Sequence, residues 1–309
     1  MTEDAKVAPL RRRLRALKRT IGFALSLILL SVAVPDSSRV EAQYALVELG
    51  GVHGVDATDD VVWILALGSD ARPGEPVLAS RSDAIQLVGI DASSHAAVTI
   101  GVPRDSYVDI PGYGSDKINA AMTYGGPATT AETITALTGI TPDYVFVTSF
   151  RGLIHMVGKI NGIRAKVTFE MADQGVSFSP GMHKFTGGEA LKFARIRYGL
   201  PRGDFDRSYD QGQLLKGGLA TVLGKLGRPG FFERAMSHFA RYTDTNMNPV
   251  ELYRLGRTVL EVNPARVRVC VLDGDLGFVG AASVVFLDRA EVSALSDDVR
   301  HDAQVQGGC

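Results

Sequence analysis

Short apolar runs rich in β-branched and aromatic residues alternate along the chain with longer segments whose apolar positions recur every three or four residues. The runs Val61–Leu67, Ala84–Ile90, Ala96–Val102, Tyr144–Thr148, Ile163–Phe169 and Val267–Leu272 predict β-strands. Asp91-Ala92-Ser93-Ser94, between the second and third runs, is a turn signal and makes them a hairpin. Helices are predicted over Ile118–Tyr124, stopped by Gly125-Gly126-Pro127, and over Thr130–Leu137, Arg151–Ile160 and Glu189–Ala194. Three more follow: Ser208–Lys225, with Leu214, Leu215 and Leu219 at helical spacing, then Phe231–Tyr242 and Pro249–Leu260. Strands and helices alternate after the hairpin. That order predicts the α/β (mixed α+β) class, with a central mixed β-sheet flanked by helices on both faces.

The N-terminal stretch breaks this pattern. Ile21–Val34 has no charged residue and no polar face, so it does not read as a half-buried helix. Residues 1–20 before it carry seven basic side chains against two acidic ones, a net +5 that leaves −6 for the rest of a chain whose formal total is −1. A basic flank followed by an apolar segment marks an exported chain. The expected division is a basic cytoplasmic tail (1–20), a signal anchor (21–35), a linker (36–58) and an extracytoplasmic domain (59–309). Its localisation would be the cell membrane, in a single pass. Two readings stay open. The 14 residues of Ile21–Val34 are short of the roughly 20 that span a bilayer, which favours a cleaved signal peptide, with Val40-Glu41-Ala42 as the processing site. The Arg-dense flank favours a retained anchor. A total charge near zero excludes a generally basic nucleic-acid binder. Cys270 and Cys309, the two cysteines, can form one disulfide in an oxidising compartment or stay as free thiols.

Most motif searches end in turns and helices. Gly112-Tyr113-Gly114 lacks the third glycine of a dinucleotide loop and reads as a turn. Gly218 to Lys225 has the wrong glycine spacing for a P-loop and reads as helix interior, and Asp273-Gly274-Asp275 reads as a turn after the last predicted strand. Four clusters of carboxylates and arginines remain, all at element boundaries: Gly68-Ser69-Asp70-Ala71-Arg72, Arg81-Ser82-Asp83, Pro103-Arg104-Asp105, and Arg195-Ile196-Arg197 through Gly203-Asp204 to Arg207 and Gln211. Arg195 and Arg197 share a side if the chain is extended there. Arg207 and Gln211, four apart, share a helix face near an N-terminus that favours anions. Arginines suit bidentate phosphate recognition, and Asp70 with Asp83 can hold Mg²⁺ through carboxylates plus phosphate oxygens. The set suits a magnesium-bridged pyrophosphate. Taken singly, each cluster reads as solvated charge or a surface salt bridge.

In their order the matching stretches resemble the LytR-CpsA-Psr family of cell-wall glycopolymer ligases. They are GSDAR (68–72), RSDAIQLVGID (81–91), VPRDSYVDIPGYGSDKINAA (102–121), YGG (124–126), LTGITPDYVFVTSF (137–150), GGEALKFARIR (187–197) and GDFDRSYDQGQLL (203–215), within the core 61–225. Gly158 and Asn161 depart from the family, which usually has Asp and Gly there. The resemblance implies a long apolar pocket for a polyprenyl tail, Mg²⁺ at Asp70 and Asp83, and pyrophosphate contacts from Arg72, Arg81, Arg104, Arg195, Arg197, Arg207 and Gln211. Lys117 and Asn119 would support them.

The expected activity is phosphotransfer from a polyprenyl-pyrophosphate-linked glycopolymer to a peptidoglycan acceptor at a membrane, with no nucleic acid involved. Arg104 is the leading catalytic residue. Asp105 is a candidate general base, or else the partner of a salt bridge that orients Arg104. Two alternatives stand beside this: hydrolysis of the lipid pyrophosphate, and a non-catalytic polyprenyl-binding regulator or scaffold.

Overall fold

Side-chain alternation in β1 (Val61–Ser69) sends Trp63, Leu65 and Leu67 to one face and Val62 and Ile64 to the other, and both sets meet apolar neighbours. A strand apolar on both faces belongs inside a sheet covered on both sides. With β2 (Ser82–Asp91), β3 (Ala96–Gly101), β6 (Tyr144–Ser149), β11 (Thr243–Thr245) and β12 (Val267–Val271) it forms a six-stranded sheet of order β11-β6-β1-β2-β3-β12. Strands β6 and β1 are parallel, as are β3 and β12, while the pairs β1/β2, β2/β3 and β11/β6 are antiparallel. This computed structural model describes residues 61–309 apart from 174 and 198, so the tail, apolar segment and linker predicted over 1–58 lie outside the described residues. No described helix is long and apolar enough to cross a membrane.

Helices cover both faces, as the alternation predicts. On the first, Met122 and Ile134 of α1 (Ala121–Thr138) and Val292 and Val299 of α7 (Arg289–Val299) pack with Leu65, Leu87 and Ile100. On the second, α5 (Phe231–Tyr242) and α6 (Pro249–Val259) bring Phe239, Leu252 and Leu255 against Ile64, Ile90 and Tyr144. A separate apolar cluster joins β7 (Ile163–Val167) and β10 (Gly181–Phe185) to α2 (Phe150–Lys159), α3 (Gly187–Arg195) and α4 (Asp204–Leu223), through Phe185, Phe193 and Leu214. Helix α4 therefore touches both the main sheet and the β7–β10 ribbon. Gly217 permits this: a Cβ there would lie 2.1 Å from the Arg164 carbonyl oxygen of β7.

The predicted hairpin is β2–β3. Its turn forms because Asp91 Oδ1 accepts from the backbone N–H of Ser93 at 2.7 Å and of Ser94 at 3.1 Å. The predicted break at Gly125-Gly126-Pro127 is also present, as a kink in which Gly126 has φ 74° before the helix resumes. Several boundaries differ. Helix α4 begins at Asp204 rather than Ser208, because Asp204 and Asp206 suit a first turn whose N–H groups attract negative charge. Strand β2 begins at Ser82, which places Asp83 inside a strand. β12 is not the last strand: Asp273 leads into a hairpin, β13 (Gly274–Val279) and β14 (Ala282–Leu287), followed by α7. β4 (Tyr107–Ile110) and β5 (Gly114–Lys117) form a further hairpin around the Gly112 turn. β4, β5 and β13 are short and largely polar or exposed and lack an apolar run, whereas β14 carries one in Val284-Val285-Phe286-Leu287.

Cys270 of edge strand β12 is bonded to Cys309, with Cα atoms 5.3 Å apart, so the disulfide reading holds and free thiols do not. The link closes a loop with a sequence separation of 39, and loop-closure entropy of that size is worth about 2–4 kcal/mol. Reduction under native conditions should lower the urea midpoint and raise the slope, because the uncrosslinked chain exposes more surface on unfolding. Unchanged unfolding after verified reduction would show that the bond adds nothing to stability.

Candidate functional site

A register shift creates the centre of the site. Gly68 pairs with Ala84 but Ser69 pairs with Ser82, so Asp83 is the extra residue of a β-bulge. Bulges re-aim side chains near strand ends. Here one Asp83 oxygen meets the Arg104 guanidinium in an ion pair, and the other lies 3.8 Å from Nε of Arg195. Arg104 follows the buried end of β3 in a closed loop. The Ser106 N–H donates to the Pro103 carbonyl at 3.0 Å, and the Asn119 N–H to the Arg104 carbonyl at 3.2 Å. Asn119 thus holds the Arg104 loop through its backbone.

The next residue turns to a second set of cations. Asp105 accepts from Lys117 Nζ at 3.1 Å and lies 3.9 Å from Arg197 Nη1. The salt bridge expected at Asp105 therefore exists, but its partners are Lys117 and Arg197, while Arg104 pairs with Asp83. The Asp105 N–H in turn donates to Asp204 Oδ2 at 3.3 Å.

Helices α3 and α4 supply the other wall. A capping box of Thr186 and Glu189 starts α3, and Ile196, extended and buried, ends it. Arg195 is still helical, so the extended alternation expected of Arg195 and Arg197 is not met, and the two reach different carboxylates, Asp83 and Asp105. On α4, Arg207 and Gln211 are both buried. Gln211 Nε2 donates to the Ala194 carbonyl at 3.0 Å and to the Asp83 carbonyl at 3.2 Å, tying α3 and β2 to α4. Its amide hydrogens are spent on positioning.

Arg207 is only 4% exposed, and its Nη2 is ion-paired with Asp204 Oδ1, while its Nε has no hydrogen-bond partner and neither has Arg104 Nε. Burial pulls the Arg207 pKa below its ordinary value, against the attraction of Asp204. Burial opposes the Arg104 charge too, but Asp83, Asp105 and Asp204 outweigh it and raise that pKa. Five cations (Arg104, Lys117, Arg195, Arg197, Arg207) pair with three carboxylates (Asp83, Asp105, Asp204). The excess positive charge and the unpartnered guanidinium N–H groups suit an anion with several oxygens.

Asp70 lies just beyond β1, and its N–H donates to the Arg81 carbonyl at 2.9 Å. Burial, and then the Asp83 charge, push its carboxyl above the ordinary range. That like-charge pair fits a divalent cation. Among the described residues no group of three or more His, Cys, Asp or Glu side chains is placed to hold a metal, so such a cation would draw its remaining ligands from water or an anion. Arg81 is exposed, but its charge reaches Asp70. Arg72 is exposed in the following turn, where its N–H donates to Glu75 at 2.8 Å, and no contact brings its guanidinium to the cluster. Asp204 supplies the third carboxylate of the site, a role that its place in the Gly203-Asp204 stretch does not signal.

Asp210 is a second unassigned carboxyl, one turn beyond Arg207 on the buried side of α4. Its Oδ2 has no hydrogen-bond partner. Burial, with the Asp206 charge, raises its pKa from 3.8 to about 8. Between those two values the unfolded chain has released the proton and the folded chain keeps it, so this group lowers stability as pH rises through the window. Asp210→Asn should flatten the fall of Tm between pH 5 and pH 8 and raise Tm at pH 8. A variant curve parallel to wild type, followed by scanning calorimetry, would refute this account of Asp210.

The profile of the LytR_cpsA_psr family matches residues 34–301. Regulatory protein MsrR of Staphylococcus aureus (strain COL) is 36% identical over 167 residues, 53% of this chain and 50% of that protein. Polyisoprenyl-teichoic acid–peptidoglycan teichoic acid transferase TagU of Bacillus anthracis (strain CDC 684 / NRRL 3495) is 34% identical over 157 residues, 50% of this chain and 51% of that protein. The matched region thus spans about half the length of these curated relatives. The crystal structure of B. subtilis TagV has the same fold, with a TM-score of 0.68 at 22% identity over 80% of this chain and 99% of TagV. TagT bound to LI-WTA gives 0.66 at 24% identity over 83% of this chain and 99% of TagT. With the mixed sheet, the bulged strand and the ordered motifs in place, the chain belongs to the LytR_cpsA_psr family.

Proposed function

We propose that the chain transfers a glycopolymer from a polyprenyl-pyrophosphate carrier to peptidoglycan, leaving a phosphodiester link. One observation carries this reading: Arg207 and Arg104 are desolvated and still have guanidinium N–H groups without hydrogen-bond partners. Buried cations in that condition are costly unless an anion completes them. The names of two relatives support the choice of anion, a polyisoprenyl-teichoic acid–peptidoglycan transferase and a structure bound to LI-WTA. The apolar pocket for the polyprenyl tail belongs to the same proposal.

A sugar hydroxyl of the acceptor attacks the phosphorus that bears the glycopolymer. The bond from that phosphorus to the bridging oxygen breaks, and polyprenyl phosphate departs. Arg104 and Arg207 hold the oxygens on which charge grows, and donors aimed at developing charge act most strongly where water is excluded. Arg195, Arg197 and Lys117 surround the leaving phosphate, and Arg81 stands at the rim. Mg²⁺ held by Asp70 and Asp83 would neutralise phosphate charge when bound. Asp105 is the carboxylate beside Arg104 that can take the hydroxyl proton. The domain would act on the outer side of the membrane, a placement that the Cys270–Cys309 disulfide supports.

Transfer from a synthetic lipid-pyrophosphate saccharide to a soluble peptidoglycan oligosaccharide tests the reading. Arg104→Ala and Asp83→Ala should each lower kcat by about 10²–10³-fold, and full activity in both would refute the site. Product that forms equally without acceptor would mark a hydrolase. No turnover with bound lipid would mark a binding protein. If Asp105 is the base, Asp105→Asn loses the rising limb of the pH–rate profile. If Asp105 only anchors Lys117 and Arg197, the limb stays and KM for the donor rises.

A further inference from the structure

Tyr113, in the turn between β4 and β5, and Tyr124, at the end of the first segment of α1, stack face to face with ring centroids 5.2 Å apart and planes 14° from parallel. Both stay open to solvent, Tyr113 at 54% and Tyr124 at 44% exposure. A pair that served only to staple a hairpin to a helix would gain by burying its rings. These rings are instead fixed by their edges. The Tyr113 hydroxyl donates to the Tyr124 carbonyl at 3.2 Å, and the Tyr124 hydroxyl to Asp116 Oδ2 at 2.5 Å. The turn is formed by Gly112 and Gly114, at φ 79° and 80°, which holds Tyr113 out over Tyr124.

The stack adjoins the anion site. Asp116, which holds Tyr124, precedes Lys117 and accepts the Lys117 N–H through Oδ1 at 2.7 Å. Lys117 in turn reaches Asp105. The rings and Lys117 therefore share one short ribbon, and the charge of Arg81, at the rim of the site, reaches Tyr124.

We propose that the Tyr113–Tyr124 stack is a platform for a pyranose ring, and that it orients the glycan next to the reacting phosphate. A pyranose offers a face of C–H groups that packs on an aromatic face, while its hydroxyls project sideways to polar groups at the rim. Asp116 is such a group, an acceptor at the edge of the stack. Rings already locked in place lose little entropy when a sugar lands on them. The inference rests on the phosphotransfer reading for the identity of the glycan. The sugar can belong to the acceptor strand or to the donor beside its phosphate.

Saturation-transfer NMR on the full chain in detergent tests binding apart from catalysis. The probes are a lipid-free peptidoglycan tetrasaccharide and a short-chain polyprenyl-pyrophosphate disaccharide. Saturation of the aromatic protons should reach the sugar C–H protons. Tyr113→Ala should abolish that transfer and weaken binding of one probe about tenfold, whereas Tyr113→Phe, which keeps the ring, should stay within about twofold of wild type. A loss confined to the tetrasaccharide assigns the platform to the acceptor, and one confined to the disaccharide assigns it to the donor. Absent transfer in wild type, or unchanged binding in Tyr113→Ala, would overturn the proposal. Sugar binding without turnover would sink the phosphotransfer reading and leave the platform standing. Turnover with both KM values unchanged in Tyr113→Ala would do the reverse.

Discussion

The Asp83 carboxylate lies between Arg104 and Arg195, and the other charges of the site are arranged around it. Two guanidinium groups, one on the loop after β3 and one at the end of α3, repel one another and lose hydration as they are buried. Each needs a carboxylate, and the one they share has to come from a third element. The β-bulge provides it by displacing Asp83 from the regular pleat while β1 and β2 stay paired on either side. Removing one member of such a partly buried set leaves a charge without compensation, which costs far more than the pair contributes. The same constraint explains Gln211, whose amide fixes the Asp83 and Ala194 carbonyls and so keeps β2 and α3 at the spacing the ion pairs need.

Around this centre the fold brings together pieces far apart in the chain. The sheet delivers Asp70, Asp83 and Arg104 from strand ends, and its two covered faces make those ends rigid. Helix α4 closes the arrangement because it packs on both the main sheet and the β7–β10 ribbon, with Arg207 and Asp204 buried in its first turn. Five cations share three carboxylates, and Nε of both Arg104 and Arg207 has no hydrogen-bond partner. That imbalance is a chemical invitation to a polyanion, and it sits beside an exposed aromatic stack suited to a sugar. A phosphate-linked glycan presents both chemistries in one molecule.

Much of this was legible beforehand, in ways that follow from local physics. Five of the six sheet strands declared themselves because apolar and β-branched residues dominate them, whereas β11, Thr243-Asp244-Thr245, is too short and polar to do so. The β2–β3 turn was legible through the Asx geometry of Asp91, and the kink in α1 through Gly125-Gly126-Pro127. The end of α3, predicted near Ala194, falls at Arg195, with buried Ile196 extended after it. β13 and α7 were not legible, since their apolar residues are sparse or exposed, although Val284-Val285-Phe286-Leu287 of β14 carries a strand signal like that of the core strands. Asp210 was hidden for a different reason: an aspartate in a polar helix looks solvated until the packing of that helix is known.

The sequence by itself determined the alternation of elements, the clusters of arginine and aspartate at their boundaries, and the family motifs in their order. All of these depend on residues close together in the chain. Which arginine meets which aspartate was decided only in three dimensions. Arg104 chose Asp83, 21 residues away, over its neighbour Asp105, because the bulge turned one carboxylate toward it and the closed loop turned the other toward Lys117 and Arg197. The bond between Cys270 and Cys309 was settled in the same way, since two cysteines in a chain carry no distance until the edge strand and the C-terminal segment are packed together. Coulomb energy and covalent geometry both depend on separation in space, and separation in space is what tertiary packing supplies.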